Sequence, residues 1–214
     1  MKIIIVGAGG HSRVVYDILR ADRNVAVSAF VDNSPRGSEE TIMGVPVIGD
    51  HDVLPEYVKK NDVAGFIVAV GDNDIRQQHF ETMTDMGLEP VSAIHPDATI
   101  SETANIGPGT VIASGSIITT NAKVGENAIV NTGSVIEHES EVGDHAHVGP
   151  GTTVAGRVRI GDGTFVGMGS SVTDYTTIGE NSTIGAGSVV LDDVESDTVV
   201  AGAPAELKRR KEQQ

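Results

Sequence analysis

The chain has 214 residues, with 15 Lys and Arg against 30 Asp and Glu for a net charge of −15. Such a surface repels phosphate backbones and anionic lipid, which argues against nucleic-acid and membrane partners. With no cysteine, disulfides, thiolate metal sites and an acyl-cysteine intermediate are excluded, and 3% aromatic residues beside 26 glycines imply a core of Val, Ile, Ala and Thr.

The start, Met1-Lys-Ile-Ile-Ile-Val-Gly7, reads as a buried strand over Lys2–Val6 rather than a signal peptide, and a cytoplasmic protein is expected. Helical spacing of Val14, Val15, Ile18 and Leu19 follows over His11–Ala21. Val25–Val31 and Phe66–Val70 read as strands, Asp52–Lys60 and Ile75–Met86 as helices, and Val91–Ile94 as a short final strand. Strands alternating with helices imply a parallel sheet, so residues 1–92 are expected to form a half-sized Rossmann-like unit.

Gly7-Ala8-Gly9-Gly10 lies where the first strand turns into the first helix. The loop reads either as a tight strand–helix turn or as a cradle bringing backbone N–H groups to a phosphate. The full dinucleotide fingerprint needs glycine at position 12, where this chain has serine. A single nucleoside diphosphate therefore fits better than NAD. Asp32 ends the second strand, where a ribose-binding acid sits in such folds, and Gly71 follows the third strand towards the same sheet edge.

From Ile94 the pattern changes. Ile or Val recurs every sixth residue from 94 to 190 without a break, and Ala, Ser, Thr or Val stands four residues after each. Repeats of this kind specify a solenoid: the branched residue points inward, the small one fills the corner, and three hexads close a triangular coil. Residues 93–198 are expected to form a parallel β-helix, and 199–214 a tail that leaves the repeat.

Two histidines stand out here. His138, two places after inward Ile136, is expected to point outward, with Glu139 beside it to hold one ring nitrogen and leave the other as a base. His147 ends the next hexad, so the two are expected on adjacent faces at nearly the same level. An outward histidine on a solenoid can equally be a solvated surface group. The spacing of His138, His145 and His147 matches no ordinary ligand set, and no metal is expected. Arg157, Arg159 and Lys208–Lys211 are the main basic spots, read either as solvated charges or as groups meeting coenzyme A phosphates.

Val6-Gly-Ala-Gly-Gly-His11, Phe30-Val-Asp32-Asn33, Val70-Gly71-Asp72-Asn73-Asp74-Ile75-Arg76, Ile94-His95-Pro96, Asn131-Thr132 through Ile136-Glu-His138-Glu139 and Val200-Ala-Gly-Ala-Pro204-Ala205 occur in an order and spacing that resemble the hexapeptide-repeat sugar O-/N-acetyltransferases of the sialic-acid acetyltransferase (NeuD/PglD) family. The resemblance implies a left-handed β-helix, a homotrimer with sites between subunits, and acetyl-CoA as co-substrate. It implies His138 as catalytic base with Glu139 as its acid. It implies His147, Met168 and Ala186 as coenzyme contacts, and Ala8, Gly9, Gly10, Asp32, Asn33 and Gly71 as contacts of a nucleotide sugar. The activity implied is N-acetylation of a UDP- or GDP-linked 4-amino-4,6-dideoxy-hexose by direct transfer, with a backbone N–H near a coil turn stabilising the oxyanion. O-acetylation of sialic acid or a related sugar, and a non-catalytic sugar-nucleotide sensor, are the alternatives.

Overall fold

The structure is a computed structural model that describes residues 1–32, 40–49 and 52–211. It divides into two compact units, Met1–Ala93 and Ile94–Gln214.

The first unit runs β1 (Lys2–Val6), α1 (Gly10–Leu19), β2 (Ala26–Val31), β3 (Thr41–Ile42), β4 (Val45–Ile48), α2 (Leu54–Asn61), β5 (Gly65–Val68), α3 (Asn73–Asp85) and β6 (Glu89–Pro90). Sheet order is β3-β4-β2-β1-β5-β6, parallel except for β3. Ile3, Ile4 and Ile5 are wholly buried, as an apolar run covered on both faces must be. Strand order reverses at β1, with β2 on one side and β5 on the other, so the loops after these three strands flank one switch point.

Three local features depart from the sequence expectation. Helix α3 begins at Asn73 because the Asp72 carboxylate caps it, accepting the Ile75 N–H at 3.0 Å. The β3–β4 hairpin turns at Met43 and Gly44, with φ of 51° and 85°; Met-Gly carries little of the Asn-Gly hairpin signal. The final strand of the sheet is Glu89–Pro90 rather than Val91–Ile94. Ala93–Ile94 instead opens the coil, the His95 N–H donating to Ile112 O at 2.9 Å, although Ile94 at this open end is itself exposed.

The second unit is a parallel β-helix of two-residue strands, each pairing with the strand 18 residues on, as in Ile118↔Ile136 and Ile136↔Val154. Three faces result. The first carries Ile129–Val130, His147–Val148 and Phe165–Val166; the second Val135–Ile136 and Thr153–Val154; the third Lys123–Val124, Glu141–Val142 and Arg159–Ile160. Inward residues from Ile112 to Ile184 are at most 3% exposed, each buried side chain contributing about 1.5–3 kcal/mol. The small corner residues are satisfied across coils: Ser140 Oγ donates to Ala155 O at 2.7 Å and Thr164 Oγ1 to Gly179 O at 2.7 Å. Thr198–Ala201 extends the first face, and Glu206–Arg210 pairs antiparallel with it, leaving an exposed, basic edge strand that resists further pairing. Among the described residues, no helix is long and apolar enough to cross a membrane.

Candidate active site

At the switch point of the first unit, Gly7 adopts φ 107°, and a Cβ there would stand 3.0 Å from Ala69 O, so only glycine lets β1 end this close to β5. The Ala8 N–H donates to Asp32 Oδ2 at 3.0 Å, tying the loop to the end of β2. Added Cβ atoms at Gly9, Gly10 and Gly71 would meet nothing within 4 Å, so the backbone there is open to a ligand. Helix α1 has Gly9 as its N-cap with no side-chain cap, so its positive end faces the loop where an anion would sit. Ala8, Gly9, Gly10, Asp32 and Gly71 thus gather at one sheet edge; Asn33 lies outside the described residues.

Sequence reasoning took Arg76 only as the end of the motif that begins at Val70 and gave it no role of its own. It is wholly buried in α3 on the stripe of Phe80 and Met83, and its Nη1 donates to Val70 O at 3.3 Å. Burial lowers its pKa to about 10, against the opposing pull of Asp72 and Asp74. Burial, and then the Arg76 charge, lower the neighbouring His11 to about 4, so this imidazole is neutral at pH 7. The spacing 76, 80, 83 was the available signal: an arginine inside an apolar helical stripe.

In the second unit, His138 and Glu139 occupy the corner between the second and third faces. Glu139 takes φ 59°, and its Oε2 accepts from His138 Nδ1 at 3.4 Å and Arg157 Nε at 2.7 Å. These bonds, Arg157 first and His138 second, hold the carboxyl below the usual glutamate range. A carboxylate accepting at Nδ1 fixes the proton there and leaves Nε2 as the acceptor nitrogen. The imidazole lies over Gly156, one coil on: a Cβ at 156 would stand 2.5 Å from Cε1 and 2.6 Å from Nε2 of the ring. The Gly156 N–H donates to Asp174 Oδ1 at 3.1 Å, so it can serve as an oxyanion donor only if that carboxylate turns away.

Gly156 was the second residue missed, since a lone glycine in a glycine-rich repeat looks like any other turn residue. Its role makes a prediction. In Gly156→Ala the ring, at the end of a flexible side chain, must move while the backbone need not. We expect an unchanged melting temperature and kcat lowered about 10–100-fold, the scale of an ångström of misplacement. Unaltered steady-state turnover would show that the ring position over residue 156 is unimportant.

His147 lies on the first face, which is opposite the His138 corner rather than adjacent to it. Each coil passes from His138 across the whole third face, Glu141–Val142, before reaching His147–Val148. His147 is also buried, 8% exposed, with its ring edge-on to Phe165 at 5.1 Å. Asn131 Oδ1 accepts the Thr132 N–H at 2.8 Å, which turns Nδ2 towards His147 Nε2 at 3.2 Å. Met168, 60% exposed, and Ala186 stack one coil apart at the corner between the first and second faces. The expected coenzyme residues therefore share one side of the prism, and the expected catalytic pair stands on another.

Comparison with known proteins gives matches to the PglD N-terminal domain over residues 2–83 and to the bacterial transferase hexapeptide (six repeats) over 121–156 and 157–192. UDP-N-acetylbacillosamine N-acetyltransferase of Bacillus subtilis is 35% identical over 116 residues, 52% of this chain; the match spans about half, 50%, of that relative's length. A histidine-to-asparagine variant of perosamine N-acetyltransferase from Caulobacter crescentus, in complex with CoA and GDP-perosamine, is 35% identical with a TM-score of 0.92, covering 98% of this chain and 97% of that one. The acetyltransferase domain of PglB from Neisseria gonorrhoeae, in complex with acetyl coenzyme A, is 33% identical with a TM-score of 0.88, covering 96% and 98%.

Proposed function

Because this chain belongs to the hexapeptide-repeat sugar acetyltransferases with a PglD-type N-terminal domain and a left-handed β-helix, we propose that it moves an acetyl group from acetyl-CoA to the amine of a nucleotide-linked 4-amino sugar. The observation that carries this is the His138–Glu139 pair, laid over Gly156 at an exposed corner of a fold that matches, along its whole length, an enzyme holding CoA and a nucleotide amino sugar.

The residues divide the work as follows. Backbone N–H groups of Gly9 and Gly10 face the nucleotide's diphosphate, the Ala8 N–H ties the loop to Asp32, and Asp32 and Gly71 border the nucleoside or sugar. His138 Nε2 takes a proton from the amine as the nitrogen attacks the thioester carbonyl. A C–N bond forms, the C–S bond breaks, and CoA leaves as thiolate, which recovers the proton from the imidazolium. Glu139 stabilises that imidazolium through Nδ1. With no cysteine, an acyl-enzyme route through a thiolate is excluded, and direct transfer with sequential kinetics is expected.

A single prism does not bring His138 to His147, Met168 and Ala186. In a closed trimer, the His138 corner of one copy can face the first face and adjoining corner of the next, which completes the site. The acetyl-CoA groove therefore lies between subunits.

The decisive assay follows thiol release from acetyl-CoA with UDP- and GDP-linked 4-amino sugars and with free sialic acid. Turnover with one amino-sugar nucleotide is expected and fixes the nucleotide base. Turnover with sialic acid alone would replace N-transfer by O-transfer, and silence across the panel with CoA still bound would overturn the substrate class.

A further inference from the structure

From Ile106 to Ile184 the third residue after each inward position adopts positive φ, and the corners fill it differently. At the corner of Met168 it is glycine at five successive levels, Gly115, Gly133, Gly151, Gly169 and Gly187 (φ 65–68°). At the corner of His138, Glu139, Arg157 and Tyr175 occupy it on three consecutive coils, with φ of 59°, 60° and 64°. Side chains are strained in this conformation and persist where something is gained by them.

The three form a chain of contacts running away from His138. Glu139 Oε2 accepts Arg157 Nε at 2.7 Å, Arg157 Nη1 donates to Tyr175 Oη at 2.8 Å, and the guanidinium lies 5.5 Å from the Tyr175 ring centroid. We propose that Arg157, anchored by Tyr175, is the positioning residue that holds the Glu139 carboxylate against His138 Nδ1. The inference rests on His138 acting as the base.

Two effects of Arg157 oppose each other. Its charge disfavours an imidazolium nearby, and it takes the shorter bond on the oxygen His138 also uses. Yet His138, Glu139 and Arg157 side chains are 52%, 45% and 49% exposed, so water screens the repulsion. A half-exposed glutamate with three rotatable bonds otherwise spends little time at the ring. Fixing the carboxylate is the larger effect: the guanidinium donates to it through Nε while its bond from Nη1 to Tyr175 Oη holds the plane.

The test is steady-state kinetics of the full chain carrying Arg157→Met, Arg157→Lys or Tyr175→Phe, each alone and combined with Glu139→Gln. Arg157→Met is expected to lower kcat about tenfold and Tyr175→Phe about threefold, with KM for acetyl-CoA unchanged and partial rescue by Arg157→Lys. In the Glu139→Gln background neither Arg157→Met nor Tyr175→Phe lowers kcat further, because both act through that carboxylate. Losses that multiply with Glu139→Gln would overturn the proposal. So would a raised KM for acetyl-CoA at unchanged kcat, which would make Arg157 a coenzyme ligand. Tyr175→Phe removes one hydroxyl at a surface position, so it reports on the chain of contacts even where Arg157→Met disturbs folding. If His138→Ala keeps full activity, the base reading itself has failed; if it is inactive while Arg157→Met turns over normally, only the positioning role has.

Discussion

His138→Ala is expected to lose about a thousandfold in kcat, within the usual range for a positioned general base, while KM for acetyl-CoA changes little. The asymmetry follows from where the ring sits. Its Nδ1 is engaged by Glu139 and the ring lies over Gly156, so Nε2 is the atom left for chemistry, and the substitution removes it. Glu139 is a poor substitute, because Arg157 holds its carboxyl below the usual glutamate range and so makes it a weaker base. The fold should be indifferent to the change: the side chain is half exposed and outside the Ile/Val core. Stopped-time thiol release together with CoA binding by calorimetry separates the outcomes. Retained binding with lost turnover supports the assignment; retained turnover removes His138 from the mechanism.

How far the sequence led depended on which interactions are local. The coil was legible because each inward residue, such as Ile136 or Val154, repeats one environment every 18 residues, so period and fold are the same information. The Rossmann-like strands were legible as apolar runs, and the glycine loop and Asp32 as neighbours of strand ends. His138 and Glu139 could be placed at an outward corner by counting from Ile136. What failed was the step from counting within a coil to arrangement around it. His147 is only nine residues further on, yet those residues turn two corners and carry it to the opposite side. The roles of Gly156, Arg157 and Tyr175 were equally hidden, because they meet His138 and Glu139 through stacking of whole coils rather than through proximity in the chain. Arg76 was hidden for another reason: burial of a guanidinium runs against composition and shows only in its helical register with Phe80 and Met83.

The opposite placement of His138 and His147 leads to the second large effect, which appears only in mixtures. One parent carries His138→Ala and lacks the base. The other carries His147→Ala with Met168→Glu, which removes the ring from the first face and sets a carboxylate against the coenzyme's phosphates at the adjoining corner. Each parent alone is expected to be nearly inactive. If both halves of the site came from one chain, every site in a mixed assembly would still be damaged, and co-expression would recover nothing. If each site takes its corner from one copy and its first face from the next, an intact pairing arises wherever the second parent supplies the corner and the first supplies the face. Random assembly at equal expression makes that chance one half times one half, so about a quarter of wild-type activity is expected in a closed ring. The recovered fraction should follow the product of the two parents' shares as their ratio is varied, peaking at equality. Absence of recovery in mixed assemblies verified by mass would return the whole site to a single chain, and would require His147, Met168 and Ala186 to have no part in holding the coenzyme at His138.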